Sequence, residues 1–304
     1  MITARVPATS ANLGAGFDCL GIALDLYNEV TLLPDRPFRV EILGEGSDTL
    51  PRDRSNLAAR TVLRFFETLG RPSPSFQLRL TNRIPLTGGL GSSSTAIVGA
   101  LLAANRLAGD PLGPDELLQL AVEIEGHPDN VAPALLGGLI LSVIADRRVI
   151  TARIPVPPGL RGVLFIPGFT ISTRDARRRL PRRVSLEDAV FNIARSSLLV
   201  AAMTTGRLEL LRVATQDRLH QPYRQVLFPA MPLLFDAALK AGALGVWLSG
   251  AGSALMALVQ GDGSAVCRAF EESARANGVR GRAMEVRLSE TGAMVTEKVL
   301  EANS

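Results

Sequence analysis

The sequence predicts an α+β fold in two domains. Strand-like and helix-like segments follow one another without the regular alternation that a doubly wound parallel sheet requires. A length of 304 residues suits about two domains as a prior. A group of chain breakers, Pro155, Pro157, Pro158 and Gly159, supplies a connection between them, so the expected domains are residues 1–153 and 154–304.

Residues 27–33 and 38–43 alternate and are β-branched, which predicts two strands. A helical pattern opens at Asn56 and runs to Leu69, where Gly70 and Pro72 end it. Residues 76–82 alternate cleanly as a strand, and Pro85 closes it. From Thr95 to Leu107 the chain is apolar nearly all round, which predicts a helix buried against a sheet. Gly113-Pro-Asp115 opens a further helix with Leu117, Leu120, Ala121 and Ile124 on one face, and Gly126 stops it. Residues 135–144 read as a strand that starts on a glycine pair. Beyond the proline group come a strand over 161–166, an arginine-rich helix over 174–183 and a long helix from Leu186 to Met203. Residues 245–259 read as two strands around a glycine turn.

Composition excludes several classes of function. Hydrophobic residues make up 47% and charged residues 20%, an ordinary globular balance. Cys19 and Cys267 are the only cysteines, which gives no disulfide framework and no Cys/His zinc cluster. No run approaches the roughly 18 apolar residues of a membrane span, and the N-terminus has no apolar signal segment. The expected compartment is the cytoplasm, with no membrane partner. A pI near 9.6 invites a nucleic-acid reading, but the net charge is only +4 and aromatics are 5%. Single-strand binding needs stacking aromatics, so no nucleic-acid partner is expected. An anionic small substrate accounts for local arginines equally well.

Gly88-Gly-Leu-Gly-Ser-Ser-Ser-Thr95 lies between a strand and the long apolar helix. Small residues let the backbone approach a ligand, and the free N–H groups and dipole of the helix start suit a phosphate. The hydroxyls of Ser92, Ser93 and Ser94 add donors, one of them within reach of a magnesium ion. A Walker A loop needs a lysine here, and the only lysines are Lys240 and Lys298. A dinucleotide turn needs a third glycine that is absent. Taken alone, the loop fits a serine-capped turn equally well.

Three further groups stand out. Residues 7–18 are small and glycine-rich and include Asn12 and Asp18, side chains that can orient a hydroxyl or an ammonium, or merely close Asx-turns in an irregular loop. Glu125 ends its helix, where the dipole disfavours a carboxylate; either a cation compensates it or it is a solvated surface residue. Thr173-Arg-Asp-Ala-Arg-Arg-Arg179 and His220-Gln-Pro-Tyr-Arg224 bring guanidiniums suited to a carboxylate, although most of that run must face solvent.

Together these segments resemble the GHMP kinases. Pro85–Thr95 is similar to the family's P-x-x-x-G-L-G-S-S loop. Residues 5–21, 125–138, 171–177 and 220–224 are similar to motifs of the branch that phosphorylates homoserine, and 248–253 to its C-terminal glycine motif. The resemblance implies an N-terminal domain like the second domain of ribosomal protein S5, which binds ATP, and a ferredoxin-like C-terminal domain that completes the substrate site. It implies ATP as co-substrate, Mg2+, L-homoserine as substrate and a homodimer. It makes Asn12 and Asp18 catalytic, and assigns the substrate to Asn12, Asp18, Asn130, Thr173, Arg177, Arg224 and Gly252. The triphosphate falls to Pro85, Leu86, Thr87, Gly88, Gly89, Leu90, Gly91, Ser92, Ser93, Ser94 and Thr95. Magnesium falls to Ser93, or a neighbouring serine, and Glu125. The chain departs from the family at Ser253, where proline is usual, and at Ser94 and Thr95, where alanines are frequent. It has no lysine for the Asp–Lys pair of several relatives, and Asn130 stands where that aspartate aligns.

Overall fold

A computed structural model describes residues 1–86 and 88–298; Thr87 and residues 299–304 lie outside the described residues. The chain opens with β1 (Ile2–Ala11) and β2 (Leu20–Pro34), paired antiparallel with a bulge between Pro7 and Ala8. Residues 7–11 therefore belong to a strand, not to an irregular loop. They carry no alternation because both faces are covered there: the burial run from Val6 to Ala11 is unbroken. β2 begins seven residues before the sequence pattern does, in a stretch that pairs with β5 rather than β4.

β3 (Arg39–Gly44) and β4 (Phe76–Asn82) pair in parallel, joined across one face by α1 (Leu57–Thr68), whose Asn56 cap accepts from the Ala58 N–H. α2 (Ser92–Leu107) is buried along most of its length, as its all-round apolarity requires. α3 (Pro114–Glu125) ends at Gly126, and α4 (Pro128–Leu136) follows at once. The expected strand over 135–144 is displaced by this helix to β5 (Leu139–Ala145). α4 sits hard on β2, because a Cβ on Gly21 would lie 1.7 Å from the Asp129 carbonyl oxygen. β6 (Arg148–Ile154) returns beside β5 through Asp146 and Arg147, both at positive φ. That turn lacks the Asn-Gly signature by which such hairpins are recognised.

The second sheet starts at β7 (Leu160–Pro167). Next come α5 (Thr173–Arg178), shorter than the arginine run suggested, α6 (Leu186–Thr205), and the short helices α7 (Leu211–Ala214) and α8 (Gln221–Arg224). α9 (Met231–Lys240), β8 (Gly245–Leu248), β9 (Leu255–Gln260), α10 (Ser264–Ala276) and β10 (Gly281–Arg287) complete it. Its order is β10-β7-β9-β8, antiparallel throughout, which is the ferredoxin-like order. β11 (Met294–Glu297) then crosses back to pair with β1, so among the described residues the first sheet holds seven strands.

One core lies between the first sheet and α1 to α4, another between the second sheet and α9 and α10. A third joins the two halves: Leu20, Ile22 and Leu139 of the first sheet meet Leu164, Trp247 and Met256 of the second. Among the described residues no helix is long and apolar enough to cross a membrane.

Candidate active site

The glycine-serine loop is held by its carbonyls. Thr9 N–H donates to Leu90 O at 3.1 Å, Ala254 N–H to Gly88 O at 2.9 Å, and Ser249 Oγ to Gly89 O at 2.7 Å. The Ser249 hydroxyl sits 2.8 Å from Ser10 Oγ, which accepts from Trp247 Nε1 at 3.0 Å, so a buried chain of donors runs from β8 through β1 to the loop. Two glycines are required for close approach. A Cβ on Gly91 would meet Thr9 Oγ1 at 2.0 Å, and one on Gly89 would meet Ser249 O at 2.0 Å; both residues have φ near +70°. With Gly91 capping α2, the first-turn N–H groups of the helix lack intrahelical acceptors and form an anion site.

Glu125 reaches this helix start. Ser93 Oγ and Ser94 Oγ donate to its Oε1 at 2.6 and 2.9 Å. The carboxylate that α3 disfavours at its own C-terminus is thus received by the N-terminus of α2.

The opposite end carries paired charges. Arg177 grips Asp18 with both terminal nitrogens, each bond 2.9 Å, and that pairing raises the Arg177 pKa. Asp18 and Asn12 both adopt positive φ, which suits their residue types. Asn12 Oδ1 accepts from the Asp18 N–H at 3.0 Å, while its Nδ2 donates to Gly250 O at 2.9 Å. Arg224 is buried and also donates to Gly250 O; burial first, then the nearby Arg177, pulls its pKa down to about 10. Its Nε has no hydrogen-bond partner among the described residues.

α4 supplies the floor. Asp129 is buried and holds His127 Nδ1 at 2.6 Å, and Asn130 Oδ1 accepts from Thr9 Oγ1 at 2.8 Å. Burial pulls the His127 pKa down, but the hydrogen bond and charge of Asp129 outweigh it and the net shift is upward.

The glycine-serine loop, Glu125, the paired charges and the α4 residues line one cavity of about 410 Å³. Its wall includes Asn12, Asp18, Asn130, Thr173, Arg177 and Arg224, with Gly252 beside them. It also includes Leu86, Gly88–Ser93 and Glu125. Pro85, Ser94 and Thr95 are not on that wall. Thr95 is buried, with its hydroxyl donating to Ser92 O and accepting from Asn28 Nδ2. Thr87 lies outside the described residues. Sequence reasoning missed Asp129 and His127, and it missed the apolar end formed by Leu50, Leu57, Leu80 and Ala96. Asp129 and His127 lay within a motif already noted; the apolar residues come from separate elements and carry no local signal.

Both halves of the chain match known family models: the GHMP kinases N terminal domain over residues 56–138 and the GHMP kinases C terminal domain over 199–276. A homoserine kinase of Moorella thermoacetica is 47% identical over 96% of this chain and 98% of that protein. One from Carboxydothermus hydrogenoformans is 45% identical over 97% and 96%. The crystal structure of homoserine kinase from Cytophaga hutchinsonii superposes with a TM-score of 0.87 at 32% identity, covering 97% of each chain. The chain belongs to the GHMP kinases, within their homoserine kinase family.

Proposed function

We propose that the protein transfers the γ-phosphoryl group of ATP to the side-chain hydroxyl of L-homoserine, giving O-phospho-L-homoserine for threonine biosynthesis. The observation that carries this reading is the charge pattern of the cavity. Its polar end sets the carboxylates Asp18 and Asp129 beside the guanidiniums Arg177 and Arg224. That complements the ammonium and carboxylate of one amino-acid zwitterion. The helix start of α2 lies along the same cavity and suits a triphosphate, and the apolar end suits a purine ring.

Residues 1–153 supply the phosphate cradle in this reading, and residues 154–304 close the substrate end. Ser93 and Glu125, with Ser94 beside them, are hard oxygen donors that fit Mg2+, which takes only one or two protein carboxylates when nucleotide phosphates share it. They would hold the ion where its charge would offset the negative charge of the transferring group. The homoserine oxygen forms its bond to the γ-phosphorus as the bridging bond to ADP breaks, and the hydroxyl proton passes late to Asp18. Asn12 fixes Asp18 through its backbone. We further infer a cytoplasmic homodimer, for which the exposed Leu186, Val190 and Ile193 of α6 offer apolar surface.

A coupled assay of ADP release tests the substrate: release with L-homoserine is expected, and release only with mevalonate or galactose overturns the assignment. Arg224→Ala is expected to raise the KM for homoserine about 10- to 100-fold, the usual cost of losing a charged hydrogen-bond partner, with the KM for ATP unchanged. Unchanged homoserine saturation places the carboxylate elsewhere.

A further inference from the structure

We propose that His220 is a positioning residue for substrate binding: its imidazole fixes the Arg224 guanidinium on one side and, through Gly14, the loop that carries Asp18 on the other. The proposal rests on the reading above, in which Arg224 holds the homoserine carboxylate.

His220 has no exposed surface, so both ring nitrogens need partners inside the protein. Arg224 Nη1 lies 3.1 Å from Nδ1. A guanidinium only donates, so Nδ1 must be the bare acceptor. The ring proton is therefore on Nε2, where it is donated to Gly14 O at 2.9 Å. Asp217 stands farther off, at 3.5 Å from Nε2. Its carboxylate is already occupied by the backbone N–H groups of Leu219, His220 and Gln221. The imidazole is accordingly neutral. Burial pushes its pKa down to about 4, with Arg224 adding to that shift and Asp217 opposing it. Protonation would set an N–H directly against the guanidinium.

The contacts form a closed frame. Phe17, next to Asp18, stacks on the imidazole with ring centroids 5.0 Å apart. Gly14 is wedged on α7's end, where an added Cβ would lie 2.0 Å from Thr215 O. Arg224 and Asn12 both donate to Gly250 O at 2.9 Å. His220 thus links the two sides of the amino-acid end, and only a side chain with an acceptor and a donor at imidazole spacing serves both.

Two substitutions separate the roles. Asparagine places a carbonyl oxygen near the position of Nδ1; glutamine places an amide near the position of Nε2. His220→Gln, which removes the imidazole acceptor of Arg224 but leaves its bond to Gly250 O, is expected to raise the homoserine KM about tenfold. His220→Asn keeps that acceptor and drops the bond to Gly14, so its homoserine KM stays within about threefold and its loss falls on kcat, through the loop that carries Asp18; the KM for ATP is constant in both. Because the chain has two histidines, 15N NMR of the unaltered protein gives a second readout that needs no variant to fold. A bare Nδ1 and a protonated Nε2 on His220 are expected at neutral pH. Homoserine and ATP KM values that move together, a Gln effect on the homoserine KM no larger than the Asn effect, or a proton on Nδ1 each overturn the proposal. Failure of the unaltered protein to release ADP with homoserine overturns the substrate reading instead.

Discussion

Replacing Asp18 by asparagine is expected to lower kcat by about 100- to 10,000-fold, the range that a positioned proton acceptor contributes, while the KM for ATP stays nearly constant. The backbone gives no reason for a larger structural effect. Asp18 has a φ of 57°, and asparagine is among the few residues that tolerate that region. Its N–H bond to Asn12 Oδ1 survives the change. The ion pair with Arg177 is lost, but the two side chains are 35% and 38% exposed, so after solvent screening it contributes about 1 kcal/mol or less to stability. In the proposed mechanism, what asparagine removes is the negative charge that orients the homoserine hydroxyl and receives its proton. Arg177 loses its grip at the same time, so the homoserine KM rises too. Full-length steady-state kinetics with each substrate varied, alongside a thermal melt, separate these effects. An unchanged kcat with a normal melt would move the proton acceptor to Asp129, the other carboxylate at the charged end of the cavity.

What was legible in the sequence follows how local each feature is. The proposed phosphate cradle could be read because its parts are contiguous: a strand, glycines with left-handed backbone, serines and an apolar helix. The charged end could not be read from spacing. Asp18 and Arg177 are bonded partners, yet nothing in either segment says that the other exists; side-chain chemistry singled out Asp18 and the arginine run, but only family resemblance picked Arg177 from that run and put both in one site. The apolar end is still harder, because Leu50, Leu57, Leu80 and Ala96 look like core residues in any pattern. Two of the strands that escaped notice have physical reasons as well. The second half of β1 is covered on both faces and shows no period of two, and β6 returns through an Asp-Arg turn without glycine. His220 escaped because a buried, fully bonded histidine and an exposed one have the same letter.

The carboxylate of Glu125 shows how the same reasoning can be right about a position and incomplete about its cause. A glutamate in the last turn of a helix is opposed by that helix's dipole, which suggests a cation. The structure supplies part of the answer without one: α2 begins against it, and two serine hydroxyls donate to Oε1. Glutamine at this position keeps a carbonyl acceptor for both hydroxyls and loses only the charge. If the residue merely ties α2 to α3, Glu125→Gln is active. If it holds magnesium beside the triphosphate, the charge is the function. We expect the second outcome, with kcat/KM for ATP down by about 100-fold or more, comparable to losing one preorganised electrostatic group at a phosphoryl-transfer site, and a higher magnesium requirement. The melting temperature should hold, because the opposing fields of the two helix ends leave little net electrostatic energy in the carboxylate. Near-normal activity at ordinary magnesium concentrations would return Glu125 to a purely structural role and leave the ion to the serines and the phosphates.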